Sequence, residues 1–362
     1  MSPSAPGDLS GSKAANENLK SSTPPGPNEQ ATAESAPGPA TQNANKKKRK
    51  RRKKNKKKKA LQQESFAQTP PKPTAIVASV KYPPIAVWPD GEKPAPTAIA
   101  PKADGTAWLV YWHNSPNLDL VHEKGDVLQS TEIGGNAVHV DLLETGEVVV
   151  ASVSPRNLRI FNEDGTKERV LSELNFRCTG VAVGSTGIAF SGSKAIFWIA
   201  LTGEGSAVVL SKSSDLHNVC SLAVATAQGK ELVCAADKGA KAVHFYQKTT
   251  APRGEFAPLP PFRLAPWGDV EAAAAFTPVS VSAHRSGFLA VLDAASRSVF
   301  VVDVEKNLVV SVIDGEWVCG GGPGGVPAVL AFVPIDEEEE PELWVVSTAG
   351  RVCMACLTFL YG

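Results

Sequence analysis

The sequence is short of several features that would settle its class at once. None of its apolar stretches approaches the roughly 18–20 residues that a membrane-spanning helix needs. The first 30 residues are polar, without the apolar segment of a secretory signal. No Asn-x-Ser/Thr glycosylation acceptor occurs. Six cysteines, at positions 178, 220, 234, 319, 353 and 356, are too few and too scattered in 362 residues for a disulfide scaffold. These absences predict a reduced, intracellular protein with no membrane span.

The usual signatures of catalysis are missing as well. There is no His-Glu-x-x-His and no Gly-x-Ser-x-Gly nucleophile elbow. The nearest approach to a phosphate loop, Gly229-Lys230, is followed by Glu231 rather than Ser or Thr. Gly320-Gly-Gly-Pro-Gly-Gly325 formally contains Gly-x-Gly-x-x-Gly. A dinucleotide site needs a helix after that loop, so that amides and dipole meet the pyrophosphate. Here Pro323 interrupts the run and a strand pattern follows, which predicts a turn. Cys353 and Cys356 form a lone pair, and residues three apart on a strand point to opposite faces. No metal site and no cofactor are expected.

The net charge of zero hides an asymmetry. Residues 1–73 carry 16 Lys/Arg against 5 Asp/Glu, a net +11, and residues 74–362 carry 21 against 32, a net −11. The first 73 residues hold one aromatic residue, Phe66, of 24 in the chain, so they cannot build a core. Residues 1–45, rich in Ser, Pro, Ala, Asn and Gly, read as a disordered polar tail. Residues 46–59 are a polybasic segment in which Lys46, Lys47, Lys48, Arg49, Lys50, Arg51, Arg52, Lys53, Lys54, Lys56, Lys57, Lys58 and Lys59 leave only Asn55 uncharged. Repulsion keeps such a run extended when free. Against a polyanion each neutralised phosphate releases counterions, which gives a salt-sensitive affinity that reads no sequence. No aromatic residue is interleaved to stack on bases. The expected roles are nuclear or nucleolar targeting, or tethering to RNA; the alternative is a cytoplasmic, ribosome-associated protein. Residues 60–73, ending in Pro70-Pro-Lys-Pro73, read as a stiff linker.

From Thr74 the texture changes to short apolar runs between Gly, Asp, Ser and Asn turns, the pattern of an all-β domain over 74–362. The runs repeat in one order. First strands read Thr97–Ala100, Ala137–Asp141, Thr179–Val183, Ser221–Ala225, Val279–Ser282 and Pro327–Phe332. Second strands read Trp108–Trp112, Glu147–Ala151, Gly187–Phe190, Glu231–Cys234, Phe288–Leu292 and Glu342–Val346. Third strands are anchored at Leu118, Leu158, Ile196, Val243, Val299 and Val352, spaced 40, 38, 47, 56 and 53 residues apart. Those spacings straddle the roughly 40–50 residues of a four-stranded propeller blade. Six sets predict a six-bladed β-propeller, with seven blades as the alternative. After Val352–Leu360 no fourth strand remains, whereas Thr74–Val80 is an orphan. This N-terminal strand, extended by Ile85–Trp88, is expected to pair with the last blade and close the ring, covering an exposed edge.

The repeats lack the Gly-His and Trp-Asp dipeptides of ordinary WD40 blades. Gly180-Val-Ala-Val183 and Leu158-Arg-Ile-Phe-Asn-Glu-Asp-Gly165 instead resemble parts of the NHL-type blade, and Leu120–Gly125 does so loosely. The resemblance spans residues 97–360 and implies a propeller fold. Propellers of this kind are mostly protein-interaction platforms; some bind RNA, and a minority are metal-dependent hydrolases.

Three features of the body stand out. His139 and Asp141 share a face of an expected innermost strand, and His284 is expected at a similar position in its own blade. They line a wet channel or, less simply, hold a metal. Residues 251–268 insert five prolines with Phe256, Phe262 and Trp267 into blade four; a rigid loop of this kind is a candidate partner-binding site. Glu337–Glu340 form an acidic patch, a solvated turn or a contact for a basic partner. The composite expectation is a non-enzymatic scaffold with protein partners on its loops and RNA or another polyanion on its tail. The alternatives are an RNA-binding NHL-type propeller and a metal-dependent hydrolase or lactonase. Oligomeric state is not legible.

Overall fold

Short Val- and Ala-rich runs joined by tight turns can pair with their immediate neighbours, and the chain does this throughout. The computed structural model describes residues 75–86, 96–111, 116–166, 168–201, 207–211, 215–250, 255–264, 275–314, 327–334, 341–347 and 351–360. The polybasic segment, the rest of residues 1–73, Trp267, Gly320–Gly325 and Glu337–Glu340 lie outside them.

Six four-stranded antiparallel sheets result. Strand β1 (Ala75–Ala86) precedes blade one, which is β2 (Pro96–Pro101), β3 (Thr106–Tyr111), β4 (Asn117–His122) and β5 (Val127–Glu132). Blade two is β6 (Ala137–Leu142), β7 (Val148–Val153), β8 (Arg156–Phe161) and β9 (Glu168–Glu173). Blade three is β10 (Gly180–Val183), β11 (Gly187–Gly192), β12 (Ala195–Ala200) and β13 (Val208–Ser211). Blade four is β14 (Val219–Ala227), β15 (Lys230–Asp237), β16 (Ala242–Lys248) and β17 (Phe256–Phe262). Blade five is β18 (Pro278–His284), β19 (Phe288–Asp293), β20 (Val299–Asp303) and β21 (Leu308–Ile313). Blade six is β22 (Pro327–Phe332), β23 (Glu342–Ser347), β24 (Arg351–Leu360) and, as its fourth strand, β1. Every strand anchored in the sequence is present, and the six-bladed reading holds.

Four of the hairpins between first and second strands, those of blades one, two, four and five, turn on glycines held at positive φ: Gly105, Gly146, Gly229 and Gly287. A side chain would strain that conformation, so glycine fixes the tight turn. Each innermost strand lies beside the next, from β2 through β6, β10, β14, β18 and β22 and back to β2. Five of the six innermost strands, all but β10, carry a bulge after their first paired residue.

The apolar interior is divided into six clusters, and each lies between two neighbouring blades. Trp108 and Leu118 of blade one meet Val148 and Val150 of blade two. Leu158 and Ile160 meet Ile188 and Phe190; Trp198 meets Val233; Phe245 meets Val291; Leu292 meets Leu343. The sixth cluster joins the last blade to the first, with Trp344 and Met354 against Leu109 and Tyr111. A blade in isolation would expose both faces, so its stability comes from its neighbours.

Blade four departs from the expectation of a Pro-rich loop inserted into the blade. Residues 256–262 form its outermost strand, with Lys248 opposite Phe256 and Tyr246 opposite Pro258. Proline is tolerated there because only one edge of an outermost strand must pair. The register shifts between Val243 and Phe245, opposite the Leu259–Phe262 stretch that holds Pro260 and Pro261.

Ring closure rests on β1, which pairs with β24 from Ala75↔Leu360 to Ala86↔Arg351. Truncation through Pro73 is expected to leave the thermal midpoint unchanged. Truncation through Ala86 bares the β24 edge and is expected to yield aggregated protein or a midpoint at least about 10 °C lower. Differential scanning calorimetry of the two truncations checks this, and equal midpoints would show that β1 does not hold the ring.

Candidate functional site

The six innermost strands line an axial cavity of about 750 Å³, with Lys102, Glu144 and Arg285 at one mouth. Its wall is shaped by a requirement of the backbone. The inner edge of each innermost strand faces the axis, where no further strand can pair with its N–H groups, so other acceptors must serve. Side chains of the preceding blade do so. Asp141 accepts from Val183 N–H at 2.7 Å and from Leu142 N–H at 2.8 Å. Ser221 Oγ accepts from Val281 N–H at 3.2 Å. Ser280 Oγ accepts from Leu330 N–H at 3.2 Å, and Ser282 Oγ from Phe332 N–H at 2.9 Å. The Cys220 thiol reaches the Pro278 carbonyl at 3.4 Å, and burial raises its pKa to about 11, which keeps it protonated at neutral pH.

His139, Ser221 and Ser280 occupy one register position, each being the first paired residue after the bulge. Asp141 and Ser282 share the position two residues on. His139 and Asp141 therefore share a face, as expected. His284 does not match His139: it sits four residues beyond Ser280, near the end of β18, buried against the Phe332 ring at 5.4 Å between centroids. Both strands bulge at the same place, so the two histidines differ in position along the strand, His284 lying four residues further on. His139 has no hydrogen-bond partner among the described residues, where no group of three or more His, Cys, Asp or Glu gathers as metal ligands would.

Three further polar groups brace the ring, Glu231 among those that line the axial cavity. Glu231, at the junction of blades three and four, accepts from Thr186 N–H at 2.8 Å and from Lys248 Nζ at 2.9 Å, and it also binds the Thr186 hydroxyl. Burial pushes its pKa up, but these donors more than offset that, and the carboxyl stays ionised below its ordinary range. Asp237 Oδ1 accepts from the N–H groups of Asn218, Gly239 and Ala240 at 2.8–2.9 Å, and Oδ2 from His217 N–H at 2.7 Å. Asp293 repeats the device one blade on, receiving Thr277, Ala295 and Ser296. Both aspartates end a second strand and tie its turn to the segment before the first strand. Sequence reading did not single them out, although the signal is there: an aspartate closes the apolar run in Cys-Ala-Ala-Asp237 and Ala-Val-Leu-Asp293.

The aromatic residues of the Pro-rich segment are placed differently from one another. Phe262 is 3% exposed and meets Phe276 edge-on at 5.9 Å, inside the cluster between blades four and five. Phe256 is half-buried against Trp198 at 5.0 Å. Trp267 is among the undescribed residues. The exposed part of the segment is Ala257 to Pro260.

The groups of the cavity wall titrate in opposing senses. Burial, assisted by the Arg177 cation, lowers His139 to about 4. Burial, assisted by Arg285, lowers His284 to about 4. Burial raises Asp141 to about 6 despite its two N–H donors. Between those values and their ordinary ones, the histidines lose stabilisation as pH falls, because the unfolded chain binds their protons first. Asp141 does the reverse, gaining stability as pH falls and losing it as pH rises through about 6. His139→Gln is therefore expected to flatten the acid loss of stability between pH 6.5 and pH 4. Asp141→Asn is expected to steepen it. Urea unfolding at several pH values measures both slopes; an unchanged slope in either variant removes that residue from the account.

No family model matches the chain, and no curated protein matches it in sequence. Among solved structures it is similar to a protein of unknown function from Bacteroides thetaiotaomicron, with a TM-score of 0.58, 11% identity, and coverage of 78% of this chain and 76% of that one. It is similar to a streptogramin B lyase, with a TM-score of 0.51, 10% identity, and coverage of 78% and 98%. A catalytically inactive virginiamycin B lyase from Staphylococcus aureus, solved with quinupristin, gives a TM-score of 0.50, 11% identity, and coverage of 78% and 100%. At such identities the likeness is one of fold, and that fold is the β-propeller.

Proposed function

We propose that this chain is a non-enzymatic propeller scaffold that docks protein partners on its circumference, while its polybasic tail binds RNA or another polyanion and directs it to the nucleus or nucleolus. The observation that carries the scaffold reading is the distribution of exposed apolar side chains. Among the described residues the large ones, Leu201 aside, all lie on outermost strands, including Leu128 on β5, Val170 on β9, Val209 on β13 and Leu308 and Val312 on β21. Apolar residues gathered on free strands are what a docking surface requires. The axial wall offers a contrast, because Asp141 and the serines facing it are committed to backbone N–H groups. The tail reading rests on charge: +11 over residues 1–73 against −11 over the remainder. The net negative body disfavours RNA on the propeller itself, which leaves the RNA-binding NHL-type alternative without support.

Affinity purification of the full chain after nuclease treatment is expected to recover a stoichiometric protein partner, and recovery of none would overturn the scaffold reading. For the tail, RNA affinity is expected to fall on the order of 10³-fold or more between about 50 and about 200 mM salt. Removing residues 1–59 is expected to abolish this binding and to release a fluorescent fusion from the nucleus. Filter binding and microscopy check the two effects. Binding that survives truncation would place the RNA site on the body, and unchanged nuclear signal would separate targeting from the tail.

A further inference from the structure

The outermost strand of blade four is richer in proline than its counterparts; β1, on blade six, holds only Pro83-Pro84, where its pairing with β24 shifts register between Tyr82 and Ile85. β5, β9, β13 and β21 contain no proline, whereas β17 reads Phe256-Ala-Pro-Leu-Pro-Pro-Phe262. Its ends are anchored by Phe256 on Trp198 and by Phe262 on Phe276. Between them Ala257, Pro258, Leu259 and Pro260 are all exposed, so neither face of the strand is covered at its centre. Leu259 is 37% exposed. Just past the strand, Arg263 is exposed, with its guanidinium donating to the Ala240 carbonyl at 2.9 Å.

Two modes of docking on a free strand can be separated here. Addition of a partner strand needs a row of free N–H and C=O groups. Pro258, Pro260 and Pro261 have no N–H, so the outer edge of β17 is a poor template for pairing. The strand instead presents two pyrrolidine rings flanking a leucine, held extended by its pairing with β16. A rigid, donor-poor, extended proline segment is the ligand that aromatic-lined grooves take, because little entropy is lost on docking and the rings offer flat apolar faces. Pro258-Leu-Pro-Pro261 followed at Arg263 by a cation also supplies the charge that orients such a ligand in its groove.

We propose that β17 is a preformed proline-rich docking strand, recognised through Pro258, Leu259 and Pro260 by a partner domain with an aromatic-lined groove. The inference rests on the scaffold reading and makes it specific. The competing account is that the prolines only protect a sheet edge from aggregation. That account explains the missing N–H groups but requires neither the exposed leucine nor the pinned ends.

The test uses the full chain and a panel of purified proline-recognising domains of the SH3, WW and EVH1 types, with binding measured by titration calorimetry. At least one domain is expected to bind, and the Pro258→Ala/Pro260→Ala variant is expected to bind it about tenfold or more weakly. Leu259→Ser, a single exposed change that leaves the prolines in place, is expected to weaken it as well. Val312→Ser on β21 is expected to leave it unchanged, and circular dichroism establishes that each variant is folded. Absence of binding by every domain, or binding indifferent to all changes in β17, overturns the proposal. Self-association of the double-proline variant without loss of domain binding assigns the prolines to edge protection alone. A partner recovered with the full chain and retained by the β17 variants would sink this inference and leave the scaffold reading standing.

Discussion

Closure is the constraint on which the structure depends. The propeller has no central core: its apolar interior is six separate clusters, each shared by two blades. Burial of apolar surface is therefore complete only when every blade has two neighbours. An open array would leave two blades with a bare face, and a ring leaves none. The first blade must then meet the last, through Leu109 and Tyr111 against Trp344 and Met354, although more than 200 residues separate them in the chain. Such a contact costs loop-closure entropy that local hairpins do not. The β1–β24 ladder adds backbone hydrogen bonds at this junction, where the two ends of the described chain come together.

A ring also creates a problem on its inside. Hairpin pairing satisfies one edge of each innermost strand and leaves the other facing the axis. Water in the cavity can serve some of those N–H groups, but short polar side chains do so without mobility. Asp141, Ser221, Ser280 and Ser282 fill that role, each reaching from its own blade to the strand of the next. The same choice explains why the residues beside the axis are small: they must fit a crowded centre and still present an oxygen. Asp141 bears a cost for this, since burial holds its carboxyl at about 6 even with two donors in place. Serine provides the acceptor without a charge to desolvate.

The fold was legible because its signal is repetitive. Six runs anchored at Leu118, Leu158, Ile196, Val243, Val299 and Val352 all prove to be third strands, and the orphan at Thr74–Val80 proves to be the closing one. Repetition averages out the ambiguity of any single short run. What failed to show was whatever breaks the repeat. The Pro-rich segment looked like an insertion because proline argues against a strand, yet an outermost strand needs only one paired edge. His284 looked equivalent to His139 because residues an even number apart on a strand share a face, and the hydropathy pattern does not say how far along the strand each one lies. Phe256 and Phe262 read as partner-binding aromatics of an exposed loop, because a sequence does not show that Phe262 is buried in the interblade core and Phe256 half-buried against Trp198. The braces at Asp237 and Asp293 went unread because a carboxylate ending a strand looks like any polar turn residue until its N–H partners are known.

These constraints divide the molecule by radius. Innermost strands are held by interblade packing and by the axial hydrogen bonds, and middle strands by interblade packing and by pairing on both edges, so most substitutions there disturb the ring itself. Outermost strands bury far less: β5 and β9 are exposed or half-exposed at every position, and β13 is no better covered. Sequence on those strands is nearly free of folding requirements, which makes them the place where composition can answer to something outside the chain. That the exposed leucines and valines gather there, and that one such strand is built from prolines and pinned at both ends by aromatic rings, is more than edge pairing demands. A polar, charged circumference would fold equally well and stay soluble more easily. On the proposed scaffold reading, contact with a partner offsets the cost in solubility of these exposed leucines and valines.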